Sequence, residues 1–500
     1  MARALSSYFQ QAFDIEEDIS HLIRKPQDVD SDSINLIHNI LRSIKQQLEL
    51  PALGGLSQLI LEDVLRMRVI CRKVLTAAQT VDKETMGKMG KLQIEEHIRR
   101  EMMVSACRLL SGCIYLLIAS VDHQDVELHS ADVLQTISEA LKNVLEATLI
   151  PADRLWKFAP TKHADALLST YEQILRLLTT RASDIGLPEA TLIQLEATMF
   201  RILLADTPVE NIELDKIRGA ALCFTMDIFH SYPTQRPSIV NEILITLEGV
   251  SAFRPNSPRF ELLDGGNMSL ISALIVRVVQ STVNGSFPSP WEGNVNENST
   301  AIQLLAAVAS PLLDAATETA LRIVSSIVNG ASRSTVASPW NPLYVFTKDL
   351  LKALLRPEWP AAELLLRLLL FRTIRILQSE KMAPMIKFVA IDVLGLMGQA
   401  ISRLNFDFQM PPTATAIFDN CLNNLIEWKD SFHVSLEYLQ SRKPVDPQAS
   451  SAARYLTAQW ALKVITIHES IPDTDLLHAG KECDSVAKRL QGTAINNAVI

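Results

Sequence analysis

Glycine, cysteine and long apolar runs are all scarce in this chain of 500 residues. Only 17 glycines are present and strand-like alternation is hard to find, which favours helices over sheets. Two uncharged runs of mostly apolar residues, 109–121 and 301–313, are well short of the roughly 20 apolar residues that a membrane span needs. The sequence therefore predicts a helical protein with no membrane association.

The six cysteines are scattered, without the paired spacing of a zinc site or the density of a secreted disulfide scaffold. They lie mostly in apolar helical stretches, so we expect buried structural thiols in a reducing compartment. They are Cys71, Cys107, Cys113, Cys223, Cys421 and Cys483.

Catalytic and cofactor-binding motifs are equally scarce. The densest set of metal-ligand types, within 122–129, has no helical metal spacing and is predicted to be a solvated loop. Asp264-Gly265-Gly266-Asn267 lacks the lysine and further glycines of a phosphate loop, and it is predicted to be a turn before a helix. We expect a protein that is not an enzyme and binds no metal or cofactor.

The formal net charge of -9 argues against a surface coated with basic residues for sequence-independent nucleic-acid binding. Local basic patches remain. They are Arg66, Arg68, Arg72 and Lys73; Arg99 and Arg100; and Arg367, Arg372 and Arg375. Each patch fits either a solvated helix face or a site for phosphate or an acidic partner.

Apolar residues spaced at the period of an α-helix are abundant in the chain. Leu214, Ile217, Ala221, Phe224 and Ile228 fall on one helix face, and a second stripe starts at Ile239 after the turn YPTQRP. Burying the second stripe contributes about 10 kcal/mol gross, whereas ordering each backbone residue costs about 1–2 kcal/mol. One such hairpin would unfold alone, so neighbours of the same kind must cover it.

Helical patterns of this kind fill most of the chain. The predicted helices span 33–48, 56–76, 94–121, 131–148, 163–180, 188–204, 213–230, 236–247, 268–283, 300–328 with a possible break at Pro311, 343–355, 360–379, 383–404, 413–440, 449–468 and 473–490. Pairs recur at intervals near 40 residues, which is typical of HEAT or armadillo repeats. We predict an all-α, right-handed α-solenoid of stacked helix hairpins, with a compact multi-domain helical protein as the alternative.

Within this array we expect a loose N-terminal lead at 1–32, a continuous solenoid from 33 to 490 and a tail at 491–500. Stretches rich in Ser, Asn, Gly and Pro predict inserted loops at 281–298 and 330–341. The segment PAAELLLRLLLF, 360–371, places leucines almost all round a helix, so we expect it to be covered on nearly every side.

Two stretches are more particular than a generic repeat. The first runs through Tyr232-Pro233, Arg236, Asn241-Glu242-Ile243, Arg254, Arg259-Phe260, Leu262, Asp264-Gly265 and the run ISALIVRVVQ at 271–280. The second comprises WPAAELLLRLL at 359–369 and Asp392-Val393-Leu394-Gly395. Together they resemble the HEAT region of the cohesin loader family, known as Nipped-B or adherin, particularly its fungal members.

The resemblance implies a non-enzymatic scaffold of the nucleus that promotes loading of cohesin onto chromatin for sister chromatid cohesion and the regulation of gene expression. Its implied partners are the kleisin and SMC subunits of cohesin, chromatin or DNA through weak sequence-independent contacts, and a smaller TPR-like protein. Because the family's members continue through many more repeats, we expect this chain to be partial. The family's partner-binding tail and C-terminal hook are expected to be missing.

Five arginines are the candidate contacts for partners or DNA. Arg236, Arg254 and Arg259 follow the first matched helix, and Arg66 and Arg72 belong to the first basic patch. Alternatively, these side chains cap helix ends or tie adjacent repeats together. Other readings of the chain are a different solenoid, such as a nuclear-transport receptor or an armadillo-type adaptor, and, third, an enzyme with a deep polar pocket.

Overall fold

The computed structural model describes most of the chain. The described residues are 2–24, 29–49, 61–76, 91–119, 131–146, 161–185, 187–204, 212–248, 253, 257–284, 298–333, 340–354, 356–405, 432, 434–442, 446 and 448–469. They divide into two compact units, Met1–Ser231 and Tyr232–Ile500. Each unit is built almost entirely of helices, so the all-α prediction is confirmed.

The first unit contains nine labelled helices among its described residues. They are α1 (Ala2–Asp14), α2 (Glu16–Arg24), α3 (Ser31–Leu48), α4 (Leu61–Leu75), α5 (Lys91–Ala119), α6 (Ala131–Val144), α7 (Thr161–Ile185), α8 (Glu189–Leu204) and α9 (Ile212–Ser231). Helices two apart in sequence pack together, α3 on α5, α5 on α7 and α7 on α9, while α4, α6 and α8 form a second row. This is the two-row packing of stacked helix hairpins.

The spacing of these hairpins differs from the prediction. The first-row helices begin at Ser31, Lys91, Thr161 and Ile212, so successive starts are 51 to 70 residues apart rather than near 40. α7 is longer than its apolar stripe indicates, since it spans Thr161–Ile185 against the predicted 163–180, whereas α5, Lys91–Ala119, is close in length to the predicted 94–121. Polar ends of a helix carry no stripe, and periodicity therefore underestimates its length.

The N-terminal segment 1–32 was predicted as a loose lead, but its described residues include α1 and α2, and α3 begins at Ser31. Phe9 and Ala12 are fully buried on α1, which packs against α3 and α4. Asp30 caps α3 by accepting a hydrogen bond from the Ser33 backbone N–H at 3.1 Å. The acidic residues of this segment therefore do not prevent an amphipathic helix from forming, and the apolar side of α1 packs against its neighbours.

The most deeply buried helix of the first unit is α5. Its window Glu96–Ile118 is apolar and long enough to cross a membrane, but 89% of that window is buried inside the protein. A Cβ added at Gly112 would lie 2.7 Å from Ile174 Cδ1 of α7, so the glycine permits the two helices to approach closely. Cys107 and Cys113 are buried here, and burial raises the pKa of each thiol to about 12. Such thiols are structural rather than reactive.

A polar network crosses the second row of this unit. Gln135 of α6 donates through Nε2 to Oε1 of Gln194 on α8 at 2.8 Å, and the Thr191 hydroxyl donates to Oε1 of Gln135 at 2.9 Å. Tyr171 of α7 is fully buried and its hydroxyl donates to the Leu141 carbonyl at 3.2 Å. These bonds satisfy polar groups that burial would otherwise penalise.

The second unit begins with a 3-10 turn, Pro233–Gln235, and α10 (Arg236–Glu248). A short antiparallel hairpin follows, β1 (Arg259–Glu261) and β2 (Asn267–Ser269). The further helices are α11 (Leu270–Ser281), α12 (Asn298–Arg333), α13 (Pro342–Ala353), α14 (Ala361–Gln378), α15 (Pro384–Asn405) and α16 (Ala449–Glu469). Again helices two apart pack together, α10 on α12, α12 on α14 and α13 on α15.

The core of the second unit surrounds α11, all twelve of whose residues are buried. α11 contacts α12, α14 and α16, and the hairpin covers its first turn. The run ISALIVRVVQ is therefore apolar on every side because every side is covered.

Three predictions for this unit are wrong in detail. Residues 259–269 were predicted to be a loop followed by the start of a helix, but they form the β1–β2 hairpin. α12 runs unbroken through Pro311, because Pro311 and the residue four before it, Ala307, are both exposed and water can satisfy the freed carbonyl. The loop predicted at 330–341 begins later, since α12 continues to Arg333.

The leucine-rich helix α14 is also less covered than predicted. Leu365 and Leu369 are fully buried, but Phe371 is 60% exposed on the opposite face. The remaining parts of several predicted segments lie outside the described residues, namely 285–297, 334–339, most of 413–440 and all of 473–500. The division into a continuous 33–490 solenoid and a 491–500 tail stays a prediction.

An aspartate placed on the buried face of α14 should destabilise the protein much more than one placed on its exposed face. Leu365→Asp places an unpaired charge in the core and should lower the free energy of unfolding by more than about 3 kcal/mol. Phe371→Asp on the exposed face of the same helix should change it by less than about 1 kcal/mol. Urea denaturation of both variants measures the difference. Equal losses would contradict the placement of α14.

A buried carboxyl in the first unit predicts a pH dependence of stability. Burial raises the pKa of Asp227 on α9 to about 7, against roughly 3.9 in an unfolded chain. Between these values the folded protein holds a proton that the unfolded chain has lost, so this residue's contribution to stability falls as pH rises from about 4 to about 7.

We therefore expect Asp227→Asn to improve stability relative to the wild type more at pH 8 than at pH 5, as measured by urea denaturation at the two pH values. Asp165→Asn, an exposed change on α7, is the control and should keep the wild-type pH profile. An identical effect of Asp227→Asn at both pH values would refute the assignment.

Candidate interaction site

The hairpin between α10 and α11 is the most distinctive local structure in the second unit. Arg259, Phe260 and Glu261 pair with Ser269, Met268 and Asn267 respectively. The turn closes through a 2.7 Å bond from the Leu262 N–H to the Gly266 carbonyl. Gly265 has φ of 78°, a left-handed conformation that favours glycine, so the Asp-Gly pair noted in the sequence forms the tip of this turn.

A carboxylate from another helix fastens the hairpin to α11. Asp349 of α13 accepts hydrogen bonds from the Ser269 backbone N–H and the Ser272 hydroxyl, both at 2.9 Å through Oδ2. Ser269 is the residue that caps α11, and its own side chain makes no capping bond. Asp349 therefore places a negative charge beside the N-terminus of α11 and satisfies the Ser269 N–H just before the helix, while the Leu270 N–H donates to the Pro258 carbonyl at 2.9 Å. Burial raises the pKa of Asp349, although these two hydrogen bonds oppose that shift.

Cationic side chains surround this junction. Lys352 lies 3.8 Å from Asp349 and donates to the Asn267 carbonyl. Arg356 donates through Nη1 to Oδ1 of Asp264 in the turn at 2.7 Å, and this arginine holds the pKa of the Asp264 carboxyl below its usual range. Arg259 is exposed at the start of β1, close enough for its charge to act on Asp349. Lys348 is exposed one turn before Lys352. We call Arg259, Lys348, Lys352 and Arg356 the hairpin site.

The hairpin is also supported from inside the unit. The Arg277 guanidinium lies 4.3 Å from the centre of the Trp359 ring and donates to Asp446 at 3.1 Å. Phe260 of β1 meets Trp359 edge-on, with ring centres 5.5 Å apart. Arg277 and Trp359 are both buried. An aromatic pair, a cation over a ring and an ion pair thus join the hairpin, α11 and the turn before α14.

The three arginines predicted after the first matched helix have different positions. Arg259 contributes to the hairpin site. Arg236 is the first residue of α10, is partly buried and has a lowered pKa because of that burial, so it fits the alternative role in holding adjacent elements. Arg254 lies outside the described residues.

In the first unit, Arg66 and Arg72 tie neighbouring helices together. Arg66 of α4 pairs with Glu16 of α2 at 2.8 Å and lies 4.3 Å from the Phe13 ring centre. Arg72 lies 3.7 Å from Asp132 of α6. Both arginines are about half exposed, so their outer surfaces also face solvent. Whether either one contacts a partner stays a prediction.

Sequence reasoning missed Lys348, Lys352 and Arg356. The signal for the lysines was present, because TKDLLK at 347–352 places two lysines four residues apart on one helix face. Arg356 gave no such signal, because its partner Asp264 is 92 residues away in the sequence and no local pattern connects the two. Among the described residues no cluster of three or more metal-ligating side chains is found, and the segment 122–129 lies outside them.

The capping role of Asp349 predicts a specific loss of stability. Asp349→Ala leaves a buried backbone N–H and a buried hydroxyl without acceptors and should cost about 1–3 kcal/mol. Glu318→Ala removes an exposed carboxylate from α12 and should stay within about 0.5 kcal/mol of the wild type. Thermal and urea unfolding compare the two. A neutral Asp349→Ala would show that the cap is dispensable.

Comparison with known proteins gives related sequences and a related fold. No protein-family model matches the chain. The human Nipped-B-like protein is 24% identical over 73% of this chain and 14% of its own length. The Nipped-B protein of Drosophila melanogaster is 27% identical over 39% of this chain and 10% of its own length. The sister chromatid cohesion protein mis4 of Schizosaccharomyces pombe is 22% identical over 58% of this chain and 20% of its own length.

The solved structure of the cohesin loader SCC2 of Chaetomium thermophilum, a C-terminal fragment, is similar over 99% of this chain and 40% of its own, with a TM-score of 0.67 and 22% identity. This likeness confirms the HEAT-like α-solenoid fold, while the right-handedness of the superhelix stays a prediction. The chain spans less than a quarter of the length of these curated relatives, which include animal and fungal proteins. The resemblance seen in the sequence is confirmed: the chain is similar in sequence to part of the Nipped-B and mis4 proteins and similar in fold to part of the cohesin loader SCC2.

Proposed function

We propose that this chain is a non-enzymatic helical-repeat scaffold that acts in the loading of cohesin onto chromatin, in the nucleus. The observation that carries the proposal is the agreement of independent relatives, named Nipped-B-like protein, sister chromatid cohesion protein and cohesin loader. Because the chain covers only part of each, loading itself is a property proposed for the longer protein. This segment supplies a surface for the loader's partners.

The arrangement of the family-like residues supports a scaffold. All residues of the ISALIVRVVQ run, together with Trp359, are buried and hold the second unit together, so they are unavailable to bind a partner. Contacts must therefore come from side chains around this core. The hairpin site is such a place, since Arg259 and Lys348 are exposed beside a rigid junction.

Anionic groups are the chemistry that the hairpin site fits. Its cations exceed its acidic neighbours at the surface, because Asp349 is buried and Asp264 is paired with Arg356, while Glu261 of β1 is exposed. Carboxylates of a kleisin or SMC subunit would suit it, as would DNA phosphates. We place the protein partner first because the whole chain carries a net charge of -9 and long-range repulsion weakens DNA binding.

The alternative of a nuclear-transport receptor is not favoured by these relatives, whose names refer to cohesin loading and sister chromatid cohesion. A TPR-like loader partner remains part of the proposal only for the longer protein. An enzymatic role gains no support from a metal centre, since no group of three or more metal-ligating side chains is found among the described residues.

Binding to cohesin subunits tests the proposal directly. We expect immobilised chain to retain purified kleisin or SMC subunits and not to retain Ran. Arg259→Glu with Lys352→Glu should weaken this binding by at least about tenfold, since two of the four cations of the hairpin site are reversed. The control, Lys142→Glu with Arg176→Glu, reverses two exposed charges in the first unit and should have little effect. Retention of Ran alone would support the transport alternative.

DNA binding should be weak, independent of sequence and strongly dependent on salt. Fluorescence anisotropy with duplexes of two unrelated sequences should give equal affinities that fall steeply between low and physiological salt. If the hairpin site contacts phosphates, Arg259→Glu with Lys352→Glu should reduce the slope of log affinity against log salt by about 2. An affinity that salt does not change would contradict an electrostatic contact.

A further inference from the structure

The β1–β2 hairpin has two edges, and the hydrogen bonds at its ends show which main-chain groups point toward them. The Leu262 N–H donates to the Gly266 carbonyl at 2.7 Å, and the Leu270 N–H donates to the Pro258 carbonyl at 2.9 Å. Bonded and non-bonded residue pairs alternate in an antiparallel ladder. The main-chain groups of the two non-bonded pairs between these bonds therefore point out of the hairpin. The two pairs are Arg259 with Ser269 and Glu261 with Asn267.

The outer edge of β2 is covered by α13. The Ser269 N–H donates to Asp349 at 2.9 Å, and Lys352 donates to the Asn267 carbonyl. Both bonds use main-chain groups that the ladder pattern directs away from β1. Two of the three residues of β2 are also buried. This edge of the hairpin therefore faces the interior of the second unit.

The outer edge of β1 has no such cover in the part of the chain that the structure describes. Arg259 and Glu261 each direct one N–H and one C=O away from β2, and within the described residues neither makes a further hydrogen bond or a salt bridge. Both residues are exposed, and Phe260 between them is partly buried against Trp359. β1 thus presents two donors and two acceptors along an open sheet edge.

Donors that alternate with acceptors fit another peptide backbone better than a nucleic acid. A phosphate only accepts hydrogen bonds, so it would leave the outward carbonyls of Arg259 and Glu261 without a donor. An added β-strand satisfies all of these groups, since its own N–H and C=O groups alternate in the same way. Of the two anionic partners that fit the hairpin site, the open edge therefore favours the protein.

The side chains of β1 define which extended segment fits this edge. Arg259 and Glu261 lie on one face of the strand, and Phe260 lies on the other, beside Trp359. An antiparallel strand, the more stable arrangement, would fit with a carboxylate opposite Arg259, an apolar residue opposite Phe260 and a cation opposite Glu261. From its N- to its C-terminus such a segment reads basic, apolar, acidic. Charged side chains on a short edge discourage indiscriminate pairing, so this pattern provides selectivity.

We propose that β1 accepts an extended segment of a partner protein as a third, antiparallel strand, with a basic–apolar–acidic triplet opposite Glu261, Phe260 and Arg259. The inference rests on the proposed function, because it names the form of the protein segment that the hairpin site binds. The sequence RFE of β1 is also complementary to itself in an antiparallel pair, so a second copy of the chain is the competing occupant. Two folded copies would have to bring their hairpins to the strand spacing of about 4.8 Å, a requirement that an extended peptide meets more easily.

Two peptides of the same composition test the proposal on the full chain. Each is a fluorescein-labelled, threonine-rich sequence of about nine residues, with Lys-Val-Glu at the centre of one and Glu-Val-Lys at the centre of the other. Anisotropy should show the Lys-Val-Glu peptide binding at least about fivefold more tightly, because the other peptide places like charges opposite Arg259 and Glu261.

Exchanging the two charges of β1 should reverse this preference. Arg259→Glu with Glu261→Arg should bind the Glu-Val-Lys peptide at least about fivefold more tightly than the Lys-Val-Glu peptide. The matched control exchanges two exposed charges of α12, Glu318→Arg with Arg322→Glu, and should keep the wild-type preference. A preference that stays the same after the exchange in β1 would overturn the assigned register.

Backbone hydrogen bonding is tested separately by N-methylation of the Lys-Val-Glu peptide. A methyl group on the glutamate nitrogen removes the N–H that donates to the Arg259 carbonyl and should weaken binding at least about fivefold. Methylation of the valine nitrogen is the control, because that N–H points away from β1, and it should change binding less than about twofold. In the protein, Glu261→Pro removes an N–H that the hairpin ladder does not use, so it should weaken binding while the melting temperature changes little. Glu261→Gln, which loses only the charge, should weaken binding less.

Several outcomes would overturn strand addition. They are equal binding of the two methylated peptides, and no binding of the Lys-Val-Glu peptide at about 1 mM. Sedimentation of the chain alone tests the competing occupant, since a dimer that Glu261→Pro dissociates would show that the edge takes a second copy. If cohesin subunits bind and the peptides do not, the strand addition is wrong and the proposed function stands. If the peptides bind as expected and cohesin subunits do not, the open edge is confirmed and its partner is a different protein.

Discussion

A helix with no exposed side must be surrounded, and α11 imposes that requirement on the second unit. All twelve of its residues are buried, including Arg277, whose charge would be costly in the core without a partner. Asp446, the face of Trp359 and the surrounding helices supply that environment. The elements that meet α11 are therefore held in position by the need to cover it and to compensate one cation.

The same need explains why polar groups at the hairpin are arranged as they are. α11 begins inside the unit, so the free N–H groups of its first turn cannot rely on water. Asp349 reaches this end of α11 from α13 and accepts from the Ser269 N–H and the Ser272 hydroxyl, and the Pro258 carbonyl accepts from the Leu270 N–H. Once that carboxylate is buried, neighbouring cations become favourable, and Lys352 and Arg259 act on it. The cationic rim of the hairpin site is thus a consequence of how the helix is capped.

Helices could be predicted because their sequence signal is local. The contacts that form the hairpin site join residues that are far apart in the sequence. The predicted α10, 236–247, differs from the observed Arg236–Glu248 by one residue. The hairpin was missed because its strands have three residues each, too few for alternation to show. Asp349 and Ser269 are 80 residues apart, and no pattern in either segment predicts that the two residues are in contact. Phe371 was expected to be covered because leucine content alone does not show which side of α14 lacks a neighbour.

Residues that identify a family and residues that bind a partner can be different sets in a solenoid. The motifs that carried the resemblance, such as ISALIVRVVQ and the tryptophan at 359, are mostly buried and define how hairpins stack. Substituting them would unfold the unit before any specific contact could be tested. Exposed residues such as Lys348 and Phe388 make little contribution to the core and are accessible to other molecules. A repeat protein can therefore keep one architecture while its exposed side chains change, so a partner has to be inferred from exposed charge and apolar area, and the family has to be inferred from the core.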